Sequence, residues 1–150
     1  MEHELTRAQA LATQGAYAQA EALLRRQLEH EPNSKPAWDL LGFVLFFQAQ
    51  YARAEECCRK ALQLVPDDPY ATKGLGLCLA KLGQVEEGLR QIEKAATLRP
   101  AWFDAYWDWI VVLHDAGRDE DARAVLARAE LLLPARAADF AGLKQALRQG

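Results

Sequence analysis

Few residues in this chain carry reactive side chains, and their spacing decides what they can do. There are three histidines, His3, His30 and His114. His114 is followed by Asp115, which resembles an oriented base with its carboxylate. Adjacent residues on a helix point about 100° apart, however, so the pair cannot share a proton as a catalytic dyad does. The only serine, Ser34, lies in a turn signal and belongs to no nucleophile elbow. Cys57-Cys58 lacks the Cys-x-x-Cys spacing and further ligands that a zinc site needs. Cys58 and Cys78 fall at apolar helix positions and read as small hydrophobes, whereas Cys57 is expected to be partly exposed and oxidisable. Gly74-x-Gly76 is too short for a phosphate loop and follows no strand. The cluster Trp102, Phe103, Tyr106, Trp107, Trp109 contains the stacking surfaces a sugar or nucleobase would use, but Tyr106 and Trp109 lie on a packing stripe. The chemistry-bearing residues therefore predict no enzyme, no cofactor and no metal.

The elements that position these residues are helices. Ala occurs 28 times and Leu 23 times, against 6 Val, 2 Ile and 4 Thr, so helix formers dominate and strand formers are scarce. The fold class is all-α. With 18 basic and 21 acidic residues spread along 150 positions, no basic stripe suits a phosphate backbone, and nucleic acid is not expected as a partner. The longest strongly apolar run, Leu40 to Phe47, is far too short to cross a membrane. Met1-Glu2-His3-Glu4 lacks the order of a signal peptide, and three cysteines without an export signal suit a reducing, cytoplasmic setting. The Ala, Leu and Arg bias suits a GC-rich bacterial genome.

A 34-residue period organises the chain. Pro32, Pro66, Pro100 and Pro134 are evenly spaced, and the same step aligns Gly15, Ala49, Gly83 and Gly117. It also aligns Ala20, Ala54, Gly88, Ala122 and the apolar set Leu11, Leu45, Leu79, Leu113. In the second unit Trp38, Leu41, Gly42 and Leu45 fall at i, i+3, i+4 and i+7, and a second stripe begins at Tyr51. The pattern predicts helix pairs at 4–14 and 17–30, 35–48 and 51–64, 69–82 and 85–98, and 103–116 and 119–132.

Trp38, Leu41-Gly42, Tyr51, Ala54, Ala61 and Pro66 together resemble the tetratricopeptide repeat, across about residues 1–134. The resemblance implies one domain over 1–150, with repeats at about 1–34, 35–68, 69–102 and 103–136. It also implies a right-handed superhelical α-solenoid of antiparallel helix hairpins. Phe140, Leu143 and Leu147 then place a capping helix at about 137–148. Two departures stand out. The first unit has Glu4, Arg7 and Ala8 where the aromatic and Leu-Gly pair belong. The fourth has Ile110 in place of the small residue, which predicts a splayed hairpin or a rotated Trp109.

In this family the first helix of each pair lines the inner groove. With Trp38 set at zero, Leu41, Gly42 and Leu45 lie within about 60° of it, and Asp39, Phe43, Phe46 and Phe47 at about 80–180°. Carried along the repeat, the groove is expected to hold Asp39, Phe43, Phe46, Phe47, Tyr70, Lys73, Leu77, Lys81, Trp107, Val111 and His114, with Asp115 beside them. Large apolar anchors rimmed by a few charges suit a peptide or amphipathic helix of a partner protein, with Lys73 and Lys81 selecting an acidic or C-terminal feature. Some members clamp acidic chaperone tails with Lys and Asn; Phe43 and Gln9 stand where Asn is needed, which disfavours that use. The expected function is a non-enzymatic interaction scaffold or chaperone-like adaptor. Its rivals are the repeat region of a larger glycosyltransferase- or sulfotransferase-type enzyme, a self-associating oligomer, and a secretion-system chaperone.

Overall fold

The computed structural model describes residues 2–148. It contains nine α-helices among the described residues: α1 Glu2–Thr13, α2 Tyr17–His30, α3 Lys35–Phe47, α4 Tyr51–Leu64, α5 Pro69–Lys81, α6 Val85–Leu98, α7 Phe103–Asp115, α8 Asp119–Leu132 and α9 Ala141–Arg148. Consecutive helices pair as hairpins and the hairpins stack in chain order, each touching the next, as an all-α solenoid. From α3 to α8 each helix begins where the period expects, and α3, α5 and α7 stop one residue sooner than predicted.

The early stop has a local cause. Gly15, Ala49, Gly83 and Gly117 all adopt left-handed backbone, with φ of 78°, 59°, 89° and 75°. Each left-handed residue turns the chain so that the following amide donates back into the helix: Ala16 to Leu11, Gln50 to Leu45, Gln84 to Leu79 and Arg118 to Leu113, at 2.8–2.9 Å. This satisfies a carbonyl the helix end would otherwise leave bare. Helix starts are less uniform. Ser34 and Asp68 accept hydrogen bonds from the amides of Ala37 and Ala71. The equivalent residue before α7 is Trp102, which offers no such acceptor. Trp102 is buried instead, with the guanidinium of Arg99 4.8 Å above its ring.

Small residues set the distance between paired helices. A Cβ on Gly76 would sit 2.7 Å from the Gly88 carbonyl oxygen, so α5 and α6 touch backbone to backbone. In the next hairpin, α7 with α8, the fully buried Ile110 and Ala122 stand at the positions of Gly76 and Gly88, and that hairpin is the more open. Trp109 stays buried, so the extra volume is absorbed by helix separation and not by turning the ring outward. The interior divides into two apolar clusters, one running from Ala8 to Cys78 and one from Leu89 to Leu147.

Two expectations are corrected. Cys57 is 3% exposed and Cys58 is the half-buried one. The close approach of α3 at Gly42, whose added Cβ would lie 3.4 Å from that of Cys57, seals the first thiol between the helices. Residues 137–148 do not form one helix. A 3-10 segment over Pro134–Phe140 precedes α9, because Pro134 opens a tighter turn that drives Phe140 into the core before the α-helix begins. Phe140 and Leu147 are buried and Leu143 packs against them.

Candidate functional site

The period of each first helix leaves one face unpartnered by its own hairpin, and α3, α5 and α7 turn those faces towards a common cavity of about 620 Å³. That volume lies within the range of about 300–1,000 Å³ typical of ligand pockets. Asp39, Phe43, Phe46, Phe47, Tyr70, Lys73, Leu77, Lys81, Trp107 and Val111 all line it. His114 does not. Its Nδ1 lies 2.7 Å from Asp119 at the start of α8, so it bridges the last hairpin, and Asp115 is not its partner. The cause is rotational: the cavity follows Trp107, Val111 and Asp115, whereas His114 points towards the turn.

Aromatic rings build both ends. At the α3 end, Phe43 and Phe47 lie 4.6 Å apart between ring centres, and Phe47 stacks on Tyr17 of α2 at 5.8 Å. Phe46 meets Phe47 and Tyr51 edge-on. Packing among themselves does not bury these rings, since Phe47 is 55% exposed and Phe43 37%. At the α7 end, Trp107 stacks on Phe103 and Phe140, so the capping segment backs that wall. Between the ends lie Leu77, Val111 and Tyr70, with Cys58 and Cys78 beneath them.

Charge is arranged by pairs. Lys73 reaches across to Asp108 at 2.7 Å, with the two side chains only 13% and 24% exposed. Lys35 binds Asp39 at 2.6 Å and Asp68 at 3.2 Å. Burial works against the Lys35 charge, but the hydrogen bonds to Asp39 and Asp68 prevail and raise its pKa. Burial also raises the pKa of Asp39 and of Asp108 above the ordinary carboxylate value, each pulled partly back by its lysine. Tyr70 is pushed up to about 12 by burial and by the neighbouring Asp39 carboxylate. The hydrogen bond to Cys78, and then burial, hold the Cys58 thiol well above its usual range, so this sulfur is not poised as a nucleophile. Among the described residues no group of three His, Cys, Asp or Glu side chains is placed to hold a metal ion, and no helix is long and apolar enough to cross a membrane.

Among the lining residues that escaped the sequence reading are Asp104, Asp108, Val112 and Cys58. The signal for two of them was present. Asp104 stands 34 residues after Tyr70, and Asp108 34 after Gly74, so the frame that placed Tyr70 extends to both carboxylates.

Residues 13–95, more than half of the chain, match the sequence family described as anaphase-promoting complex, cyclosome, subunit 3. No curated protein sequence matches the chain. Among solved structures, MamA from Desulfovibrio magneticus RS-1 superposes with a TM-score of 0.80 at 24% identity, covering 90% of this chain and 76% of that one. O-GlcNAc transferase from Thermobaculum terrenum superposes with a TM-score of 0.79 at 25% identity, over 86% of this chain but only 25% of the enzyme. The first repeat domain of Spaghetti, bound to the HSP90 peptide SRMEEVD, gives a TM-score of 0.70 at 19% identity, covering 76% and 90%.

Proposed function

Because the chain belongs to the family described as anaphase-promoting complex, cyclosome, subunit 3, a family of tetratricopeptide-repeat type, we propose that it is a non-enzymatic interaction module. Its cavity between α3, α5 and α7 holds a peptide or helix of a partner protein. The observation that carries this reading is the set of open aromatic rings: Phe43, Phe47 and Tyr70 all remain exposed and all line one cavity. Exposed aromatic side chains clustered in a groove are the usual anchors of protein interfaces, since they bury large area at little entropic cost. The free thiols of Cys57, Cys58 and Cys78 suit a reducing compartment such as the cytoplasm.

Phe47→Glu is the cleanest test. Phe47 packs mainly on other groove rings, whereas Trp107 also supports the capping segment through Phe140. Capture from the source lysate, read by mass spectrometry, should lose a specific partner with Phe47→Glu while the far-ultraviolet circular dichroism stays that of the parent. A partner retained at parental yield by a folded Phe47→Glu places the interface elsewhere.

A second reading is favoured by the likeness to the Thermobaculum glycosyltransferase, of which this chain spans a quarter. The module would then present acceptor proteins to a catalytic domain encoded beyond Gly150. A reading frame that continues into such a domain supports it, and a stop codon after Gly150 removes it.

A further inference from the structure

The groove's charges do not match an acidic ligand. Four carboxylates line the cavity, Asp39, Asp104, Asp108 and Asp115, against the ammonium groups of Lys73 and Lys81. Lys73 is already engaged by Asp108 at 2.7 Å, and drawing it to another anion would strand a half-buried carboxylate. Asp104 and Asp115 are exposed and form no ion pair among the described residues. They lie eleven positions apart on α7, on the same side as Trp107 and Val111, which separates them by about 16 Å of helix. Lys81, the remaining cation, sits 6.0 Å from the Tyr51 ring at the opposite, α3 side of the cavity.

Resting on the reading that this cavity is the partner site, we propose that its occupant is a basic amphipathic segment of another protein. Its Lys or Arg side chains meet Asp104 and Asp115 along α7, and its apolar side chains fill the space between Trp107 and the Phe43–Phe47 pair. Two exposed carboxylates set wide apart, with an apolar floor between them, are the complement of cations flanking an apolar stripe. The asymmetry also orients the ligand, with its basic edge on α7 and any acidic residue near Lys81. Burial raises the pKa of Asp39 and Asp108, and cations at this surface would draw both back down as Lys35 and Lys73 do.

The probe is a pair of fluorescein-labelled 14-residue helical peptides sharing a Leu and Trp stripe. One carries Lys at positions 2 and 13 and the other Glu at both, and binding is read by fluorescence anisotropy. The Lys peptide should bind about five-fold tighter, as two exposed charge pairs allow, with the advantage shrinking as salt rises. The double variant Asp104→Asn, Asp115→Asn should remove most of that preference. The control Glu56→Gln, Glu93→Gln alters the net charge equally on exposed sites of α4 and α6 and should leave it intact. Equal or tighter binding of the Glu peptide, a preference that survives the Asp104 and Asp115 changes, or no binding of either peptide at about 1 mM overturns the proposal. A concentration-dependent dimer that excludes both peptides also overturns it and makes a second copy the occupant. Phe47→Glu separates the two readings. If it abolishes binding of peptides that show no charge preference, the groove stands and its basic specificity falls. Binding unaffected by Phe47→Glu sinks both.

Discussion

The ammonium of Lys73 on α5 lies 2.7 Å from the carboxylate of Asp108 on α7, tying consecutive first helices together in the wall of the groove. Neither side chain has much water to fall back on. Lys73→Met should therefore cost about 1–3 kcal/mol at neutral pH, measured by urea unfolding. The pH dependence follows from the Asp108 pKa, which burial raises above 3.8 and Lys73 draws back. A carboxyl with a raised folded pKa contributes stability below its unfolded pKa and loses it as pH rises through the folded value. Removing Lys73 raises that pKa further, so the deficit should be larger at pH 7 than at pH 4. An equal deficit at both would mean that the lysine stem, and not its charge, matters.

Two neighbouring glycines on α5 should respond differently to alanine. Gly76 meets backbone, with the Gly88 carbonyl oxygen and Ile92 Cγ1 both 2.7 Å from an added Cβ. Gly76→Ala should push α5 and α6 apart and cost about 2–3 kcal/mol despite the gain in helix propensity. Gly74 meets only the Cys58 sulfur at 3.0 Å. There the propensity gain of about 1 kcal/mol offsets a small shift of one side chain, and Gly74→Ala should stay within about 1 kcal/mol of the parent. Thermal unfolding of both variants checks the contrast.

Ala49 holds φ at 59° where the other three hairpin turns use glycine. A side chain in left-handed backbone costs about 1–2 kcal/mol. Glycine's greater freedom in the unfolded chain returns part of the gain, so Ala49→Gly should stabilise by about 0.5–1 kcal/mol, or about 1–4 °C in Tm. An unchanged or lower Tm would mean the methyl group is held by packing.

The thiols should be silent in the folded protein. Burial, aided by the neighbouring Cys58, pushes Cys57 up to about 12, and the Cys58 thiol is held up by Cys78 and by burial. A thiol-specific colorimetric reagent at pH 8 should label none of the three at an appreciable rate until denaturant is added, then label all three. Fast labelling of Cys57 without denaturant would show that α3 and α4 open locally at Gly42.

How much was legible depends on how local each feature is. The helix pairs were readable because proline, left-handed turn residues and small crossing residues repeat every 34 positions, and each acts within a few bonds of its own site. Ten of the residues placed in the groove line the cavity for the same reason, since one helical face recurs in α3, α5 and α7. His114 fell outside because the end of α7 is governed by the turn that follows, where Asp119 waits. Asp108 was missed although the repeat frame reaches it, because Gly74 and Leu40 at the same position carry no charge to draw attention.

By itself the sequence determined a helical hairpin repeat of fixed length, its turns and the face each first helix presents. These follow from backbone preferences and from 3.6 residues per turn, which no distant residue alters. Only the tertiary structure decided which of Cys57 and Cys58 is sealed, that Trp102 gives up a helix cap for burial, and that Lys73 belongs to Asp108. Those outcomes depend on how far apart neighbouring helices sit and how they are rotated. That distance and rotation are set jointly by side-chain volumes from separate helices, such as Gly76 against Gly88 and the fully buried Ile110 and Ala122 at the same positions of the next hairpin, which no single-helix pattern contains.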